Sequence, residues 1–198
     1  AEVHGLLALM EIQASRLKAR IGPDGEPVLL LDQDRARWDR LLIRRGLTAL
    51  ARAEGLAAAP HADAGPYQLQ AAIAACHARA RVAADTDWAR IAGLYEVLAR
   101  VTPSPVVELN RAVAVAMASG PDVGLKLVDR LAAEPALKAY HLLPSVRGDL
   151  LQKLGRLDEA RAEFERAASL TRNERERQLL VERAAKCGAA PSDAARGR

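Results

Sequence analysis

Aromatic residues are scarce in this chain: one phenylalanine, three tyrosines and two tryptophans make up 3% of its 198 residues. A β-sandwich or barrel draws its core from aromatic and β-branched side chains in short alternating runs, so their scarcity argues against those folds. Alanine, leucine and valine must do the packing, and close-packed helices are the expected result. Cysteine is nearly as rare. Cys76 and Cys187 stand far apart and outside any C-x-x-C spacing, which removes a disulfide framework and leaves two free thiols in a reducing compartment as the expectation. No apolar run approaches the ~20 residues of a membrane span, and the start carries no signal-peptide pattern. A cytoplasmic protein without membrane contact is expected. The chain opens on Ala1-Glu2 and enters an apolar periodic pattern at once, as the remainder of a longer protein would.

Blocks of one charge sign are also missing. The 29 cations and 25 acids give a formal charge of +4 but are interspersed, whereas a nucleic-acid reader concentrates cations on one face or helix. A solvated charged surface is expected, with no direct DNA binding.

What is present is helical periodicity. Val3, Leu6, Leu7, Met10 and Leu17 recur at helical spacing over residues 2–19, until "IGPDGEP" breaks the pattern. "VLLL" is an apolar run with no partner strand and reads as loop. A second helix is expected from Arg35 to about Gly55. Then come helix pairs: 67–83 with 87–101, 105–118 with 122–133, and 140–154 with 158–171, followed by a last helix over 174–186. The pairs turn at Thr86, Gly120 and Gly155, spaced 34 and 35 residues apart. A helix-turn-helix period of 34 is the tetratricopeptide signature, because one pair cannot bury its apolar face until a neighbour stacks on it. In "LLQKLGRLDEARAEFERAASL", Gly155 takes the turn, Ala160 and Ala167 the close contacts, and Phe164 the core; the other pairs are degenerate copies. The expected fold is all-α: a right-handed α-solenoid of tetratricopeptide-like repeats over 61–187, preceded by a helical subdomain of two helices over 1–60 and followed by a disordered tail over 188–198.

Catalytic patterns are not visible. In "LLLDQDRARWD", an EF-hand beginning at Asp32 would need glycine and glutamate where Arg37 and Ile43 stand. An acid/base pair needs a cleft and a partner group. Asp34 or Asp32 reads instead as the N-cap of the helix starting near Arg35, with a docking motif of Asp32, Gln33, Asp34, Arg35 and Trp38 as the second reading. His4, His61, His77 and His141 lack i, i+4 pairing, so no metal or cofactor is expected. Repeat arrays bind on the surface made by the first helix of each pair. That places Ser145, Asp149, Gln152 and Lys153 on the binding face of the third pair, and Asn110 with Arg111 on that of the second. Asn110 and Arg111 either brace the stack or meet a ligand.

The segments "EVHGLLALMEIQASRLKAR", "LLLDQDRARWDRLLIRRG", "GPYQLQAAIAACHARA", "DTDWARIAGLYEVL", "PSPVVELNRAVAVA" and "YHLLP" with "LGRLDEARAEFERAASL" resemble, in order, the C-terminal extension of one group of extracytoplasmic-function RNA polymerase sigma factors. The resemblance runs from Glu2 to about Lys186. It implies a regulatory, non-enzymatic domain that modulates bacterial transcription initiation by contacting the sigma regions of the same protein or core RNA polymerase. Asp32, Gln33, Asp34, Arg35, Trp38, Asn110 and Arg111 match family motifs. The promoter-reading regions are absent here. The alternatives are a generic protein-binding repeat module and a small-molecule sensor with a pocket near His77, Asn110 and Tyr140.

Overall fold

The computed structural model describes residues 1–23, 25–57 and 64–188. Among them the chain is all-helical, with one isolated bridge between Ile21 and Pro27 closing the "IGPDGEP" loop. No described helix is long and apolar enough to cross a membrane. His61 and the tail from 189 onward, expected to be disordered, lie outside the described residues. The chain divides into two compact units, Ala1–Val107 and Glu108–Arg198, a cut that falls later than the sequence division at residue 60.

The first unit is built on α1 (Glu2–Ala14), which packs against both α2 (Arg40–Ala57) and α3 (Pro66–Arg79); α4 (Trp88–Val101) packs on α3. The expected helix over 2–19 is shorter, with a 3-10 turn at Leu17–Ala19 after α1. The chain reverses at Ser15, whose hydroxyl donates to Ile12 O at 2.6 Å and whose carbonyl accepts from Asp39 N at 2.9 Å. Alanines fill the core where helices meet: Ala8, Ala49, Ala71, Ala74, Ala75 and Ala78, with Ile12, Trp38, Ile43 and Leu50 supplying bulk. Small side chains let the axes approach, which suits a chain poor in aromatics. The N-terminus of α3 has no side-chain cap of its own. Glu2 of α1 supplies it across the interface, accepting from Tyr67 N at 3.1 Å and Gln68 N at 3.0 Å. A carboxylate there satisfies orphan donors and sits at the positive end of the helix dipole.

The capping expectation for Asp34 needs correction in its place. Asp34 accepts from Ala36 N at 2.9 Å and caps only a 3-10 turn, Arg35–Arg37. The helix proper, α2, begins at Arg40 and is capped by Asp39, which accepts from Leu41 N at 2.9 Å and Leu42 N at 3.1 Å. Trp38 leaves the turn in between, in extended backbone.

The second unit holds most of α5 (Pro105–Ser119), then α6 (Pro121–Leu131), α7 (Leu142–Lys153), α8 (Leu157–Leu170) and α9 (Glu174–Gly188). From α6 onward each helix packs on the next, as in a helical repeat array. Gly120 and Gly155 take φ of +106° and +75°, the left-handed region expected of the two turns. Thr86 does not share that geometry: its φ is −67°, extended backbone following a short 3-10 turn. Phe164, the single phenylalanine, is fully buried among Leu143, Leu150, Leu151, Ala160 and Ala167.

Gly148, inside α7, lies against this ring. A Cβ there would stand 2.7 Å from Phe164 Cε1, so α7 and α8 approach only because position 148 has no side chain. Replacing a helix-interior glycine by alanine normally stabilises by about 1 kcal/mol, and here overpacking opposes that gain. Gly148→Ala is expected to lower stability by about 1–3 kcal/mol in urea unfolding, and the loss should shrink in a Phe164→Leu background. A rise in midpoint would show that the ring yields freely.

Candidate functional site

In the first unit two arginines drawn inward meet the ring of Trp38 at one place. Capping by Asp34 winds the 3-10 turn so that Arg35 and Trp38 face inward, where they are 7% and 3% exposed. The Arg35 guanidinium donates to His77 O, to Ala80 O at 2.9 Å and to Thr86 Oγ1 at 3.2 Å. His77 lies in the last turn of α3 and Ala80 is its C-cap, where carbonyls lack helical partners and the dipole is negative. Arg35 therefore acts as a C-terminal cap delivered from a distant segment. Its cation also lies 4.9 Å from the centre of the Trp38 ring, with Arg16 at 5.8 Å. Burial lowers the Arg35 pKa from its ordinary value, with the Asp85 carboxylate pulling the other way.

Next to this clamp is a partly open cavity of about 190 Å³, lined by Leu9 and Gln13 of α1, by Arg16 and Leu30, by Gln70, Ile73, Ala74 and His77 of α3, and by Tyr95 of α4. Gln13 Oε1 accepts from Arg16 and from Arg20, the latter at 2.8 Å. Burial, then Arg20 and Arg35, push the Arg16 pKa down to about 10. His77 stacks edge-on against Trp88, with ring centres 5.2 Å apart, and its Nδ1 is buried without a hydrogen-bond partner. Its pKa is pushed down to about 4, by burial first and then by Arg16 and Arg35. Burial also raises the Tyr95 pKa. At neutral pH the cavity thus presents a cation, a neutral imidazole and a neutral phenol beside aliphatic carbon. Among the described residues no group of three or more His, Cys, Asp or Glu is arranged to hold a metal.

The other residues singled out by sequence are distributed as follows. Of the "DQDRARW" stretch, Asp32 and Asp34 are exposed while Gln33, Arg35 and Trp38 are buried; Gln33 Nε2 donates to Val28 O at 3.1 Å. His77 belongs to the first unit, whereas Asn110 and Tyr140 belong to the second. Asn110 is exposed, and Arg111 pairs with Glu108 at 2.7 Å. The Tyr140 ring tilts against His141, with centres 5.9 Å apart. On the expected binding face of α7, Asp149 and Gln152 both take the Arg183 guanidinium of α9, which also covers the Phe164 ring at 4.2 Å. Lys153 Nζ lies 3.5 Å from Met117 Sδ.

Several members of the first unit's cluster escaped the sequence reading: Gln13, Arg16 and Tyr95. Arg16 looks like one more surface cation of an amphipathic helix, and only the chain reversal at Ser15 turns it toward Trp38.

Residues 1–54 match a family of unknown function (DUF6596). That stretch carries Arg16, Arg35 and Trp38. Over 172 residues the chain is 46% identical to Uncharacterized protein R00370 of Rhizobium meliloti (strain 1021), a match that takes in 87% of this chain and 39% of that one. The chain thus spans about two fifths of the length of the curated relative it matches. No solved structure matches.

The depressed His77 pKa sets a pH dependence. Between its ordinary 6.5 and about 4, the unfolded chain takes up a proton that the folded one refuses, so this contribution to stability is complete above pH 6.5 and is lost as pH falls toward 4. Allowing for partial exposure, the loss should be about 1–2 kcal/mol. Urea unfolding at neutral and mildly acid pH should show a smaller acid loss in His77→Gln than in the wild type; equal losses would mean the imidazole titrates normally.

Proposed function

We propose that this chain is the regulatory, protein-contacting domain of a longer bacterial transcription-initiation factor, the helical extension that follows the promoter-reading regions of an extracytoplasmic-function sigma factor. It is non-catalytic and cytoplasmic, and it modulates initiation by contacting those sigma regions or core RNA polymerase rather than DNA. The observation that carries the proposal is the ordered resemblance of its motifs to such extensions from Glu2 to Lys186. The 39% coverage of the Rhizobium meliloti relative supports it, because there the same segment is part of a longer chain.

The first unit offers a surface suited to protein contact. On α1, Val3, Leu7 and Met10 are 81%, 46% and 61% exposed, and their spacing puts them on one stripe of the helix. A contiguous apolar stripe is a feature of interaction surfaces. Asp32 and Asp34 of the motif also face solvent.

The test is a pull-down of this domain against the separately expressed promoter-reading regions of the longer protein, with purified core polymerase as second bait. Retention on either is expected, weakened by Val3→Glu with Met10→Glu, while a promoter fragment alone should retain nothing. Binding to neither protein, or retention by DNA alone, would overturn the proposal.

A further inference from the structure

The Arg16 cavity has the chemistry of a ligand site, and nothing in the proposed function uses it. Arg16 is a half-buried cation with Arg20 and Arg35 as its charged neighbours. A cation removed from water normally takes a carboxylate. Here the acceptor is a neutral amide oxygen, Gln13 Oε1, shared between Arg16 and Arg20. Among the described residues, neither arginine forms an ion pair. No carboxylate is among the groups that shift Arg16, and Asp85 acts on Arg35. The cavity wall therefore carries uncompensated positive charge.

The remaining lining defines what could compensate it. Gln70 and Tyr95 face the same space, and neither side chain makes a hydrogen bond to a described residue. Both can donate. Leu9, Leu30, Ile73 and Ala74 form the apolar part of the wall. An inorganic anion would leave these aliphatic groups uncovered, whereas an organic acid covers them. Size narrows the class further. A cavity of roughly 150 Å³ accepts a benzene ring, so about 190 Å³ holds a ring or branched alkyl group together with one carboxylate.

We propose that this cavity binds a small organic monocarboxylate, its carboxylate on the Arg16 guanidinium with Gln70 and Tyr95 as further donors, and its apolar body against Leu9, Leu30, Ile73 and Ala74. Guanidinium and carboxylate match in bidentate geometry, which fixes the orientation of the ligand. The bound acid would bridge α1, α3 and α4 at the clamp made by Arg35, so it would stabilise the first unit in proportion to its occupancy. The proposal goes beyond the sigma-factor reading and stands without it.

Methyl NMR of the whole chain at neutral pH tests it, with benzoate as probe, benzamide as its uncharged counterpart of the same shape, and inorganic phosphate as an anion without an apolar body. Benzoate is expected to shift the methyls of Ile73, Leu9 and Leu30 saturably, with benzamide and phosphate at least ~10-fold weaker. In Arg16→Met the benzoate affinity should fall at least ~10-fold. If that variant fails to fold, the contrast between benzoate and benzamide in the wild type decides. Equal responses to the two probes, no saturable shift at Ile73, or full benzoate binding by folded Arg16→Met would overturn the proposal.

Discussion

A guanidinium taken out of water must be given acceptors, and the first unit meets that demand in a way that fixes its own layout. Arg35 is 7% exposed and finds its acceptors at His77 O, Ala80 O and Thr86 Oγ1. Those groups lie on the last turn of α3 and just before α4, more than forty residues along the chain. Satisfying the cation therefore holds the turn before α2, the end of α3 and the approach to α4 in one geometry. Trp38 lies under the same guanidinium, so the bulkiest side chain of that core is placed by the same contact. The helix end gains as well, since its last carbonyls receive donors and a positive charge. The cavity beside the clamp follows from this arrangement, because α1, α3 and α4 can close around Trp38 and His77 only so far.

The second unit reaches tight packing by other means. It has one phenylalanine, and α7 presents Gly148 to it so that the ring lies against helix backbone. Arg183 covers the ring from α9 while holding Asp149 and Gln152 of α7. Asp149 and Arg183 are 34 residues apart, so they occupy the same position in successive repeats. Arg147 adds a polar tie across three helices, with Asp129 of α6 at 2.8 Å and Glu163 of α8 at 2.9 Å. Cations that sequence composition assigns to a solvated surface are here the links between neighbouring helices.

The helices were legible because their punctuation is local. Pro66, Pro105 and Pro121 mark first turns, Gly120 and Gly155 mark left-handed turns, and the apolar period of 3.6 fills the space between. What was not legible depends on non-local contact. Asp34 and Asp39 are equally good caps by residue type, and only the inward turn of Trp38 decides that Asp39 starts α2. Gly148 looks like a defect inside a helix until Phe164 is seen sixteen residues on. The lining of the cavity comes from positions 9 to 95 in four segments, and no single stretch displays it. Arg35 was read as one member of a charged motif at the surface, since arginine is seldom buried. The pairs Asp149–Arg183, 34 residues apart, and His141–Glu176, 35 apart, are contacts that the repeat period itself would have found.

The central claim is that the "DQDRARW" stretch holds the first unit together from within. Arg35→Met keeps most of the buried aliphatic stem and removes the charge and its donors, so equilibrium urea unfolding of this variant, followed by Trp38 fluorescence in a Trp88→Phe background, measures the clamp directly. A loss of about 2–4 kcal/mol is expected, since carbonyls at the end of α3 lose their charged partner. An unchanged midpoint would contradict the account and mean that the buried cation contributes nothing net to the first unit.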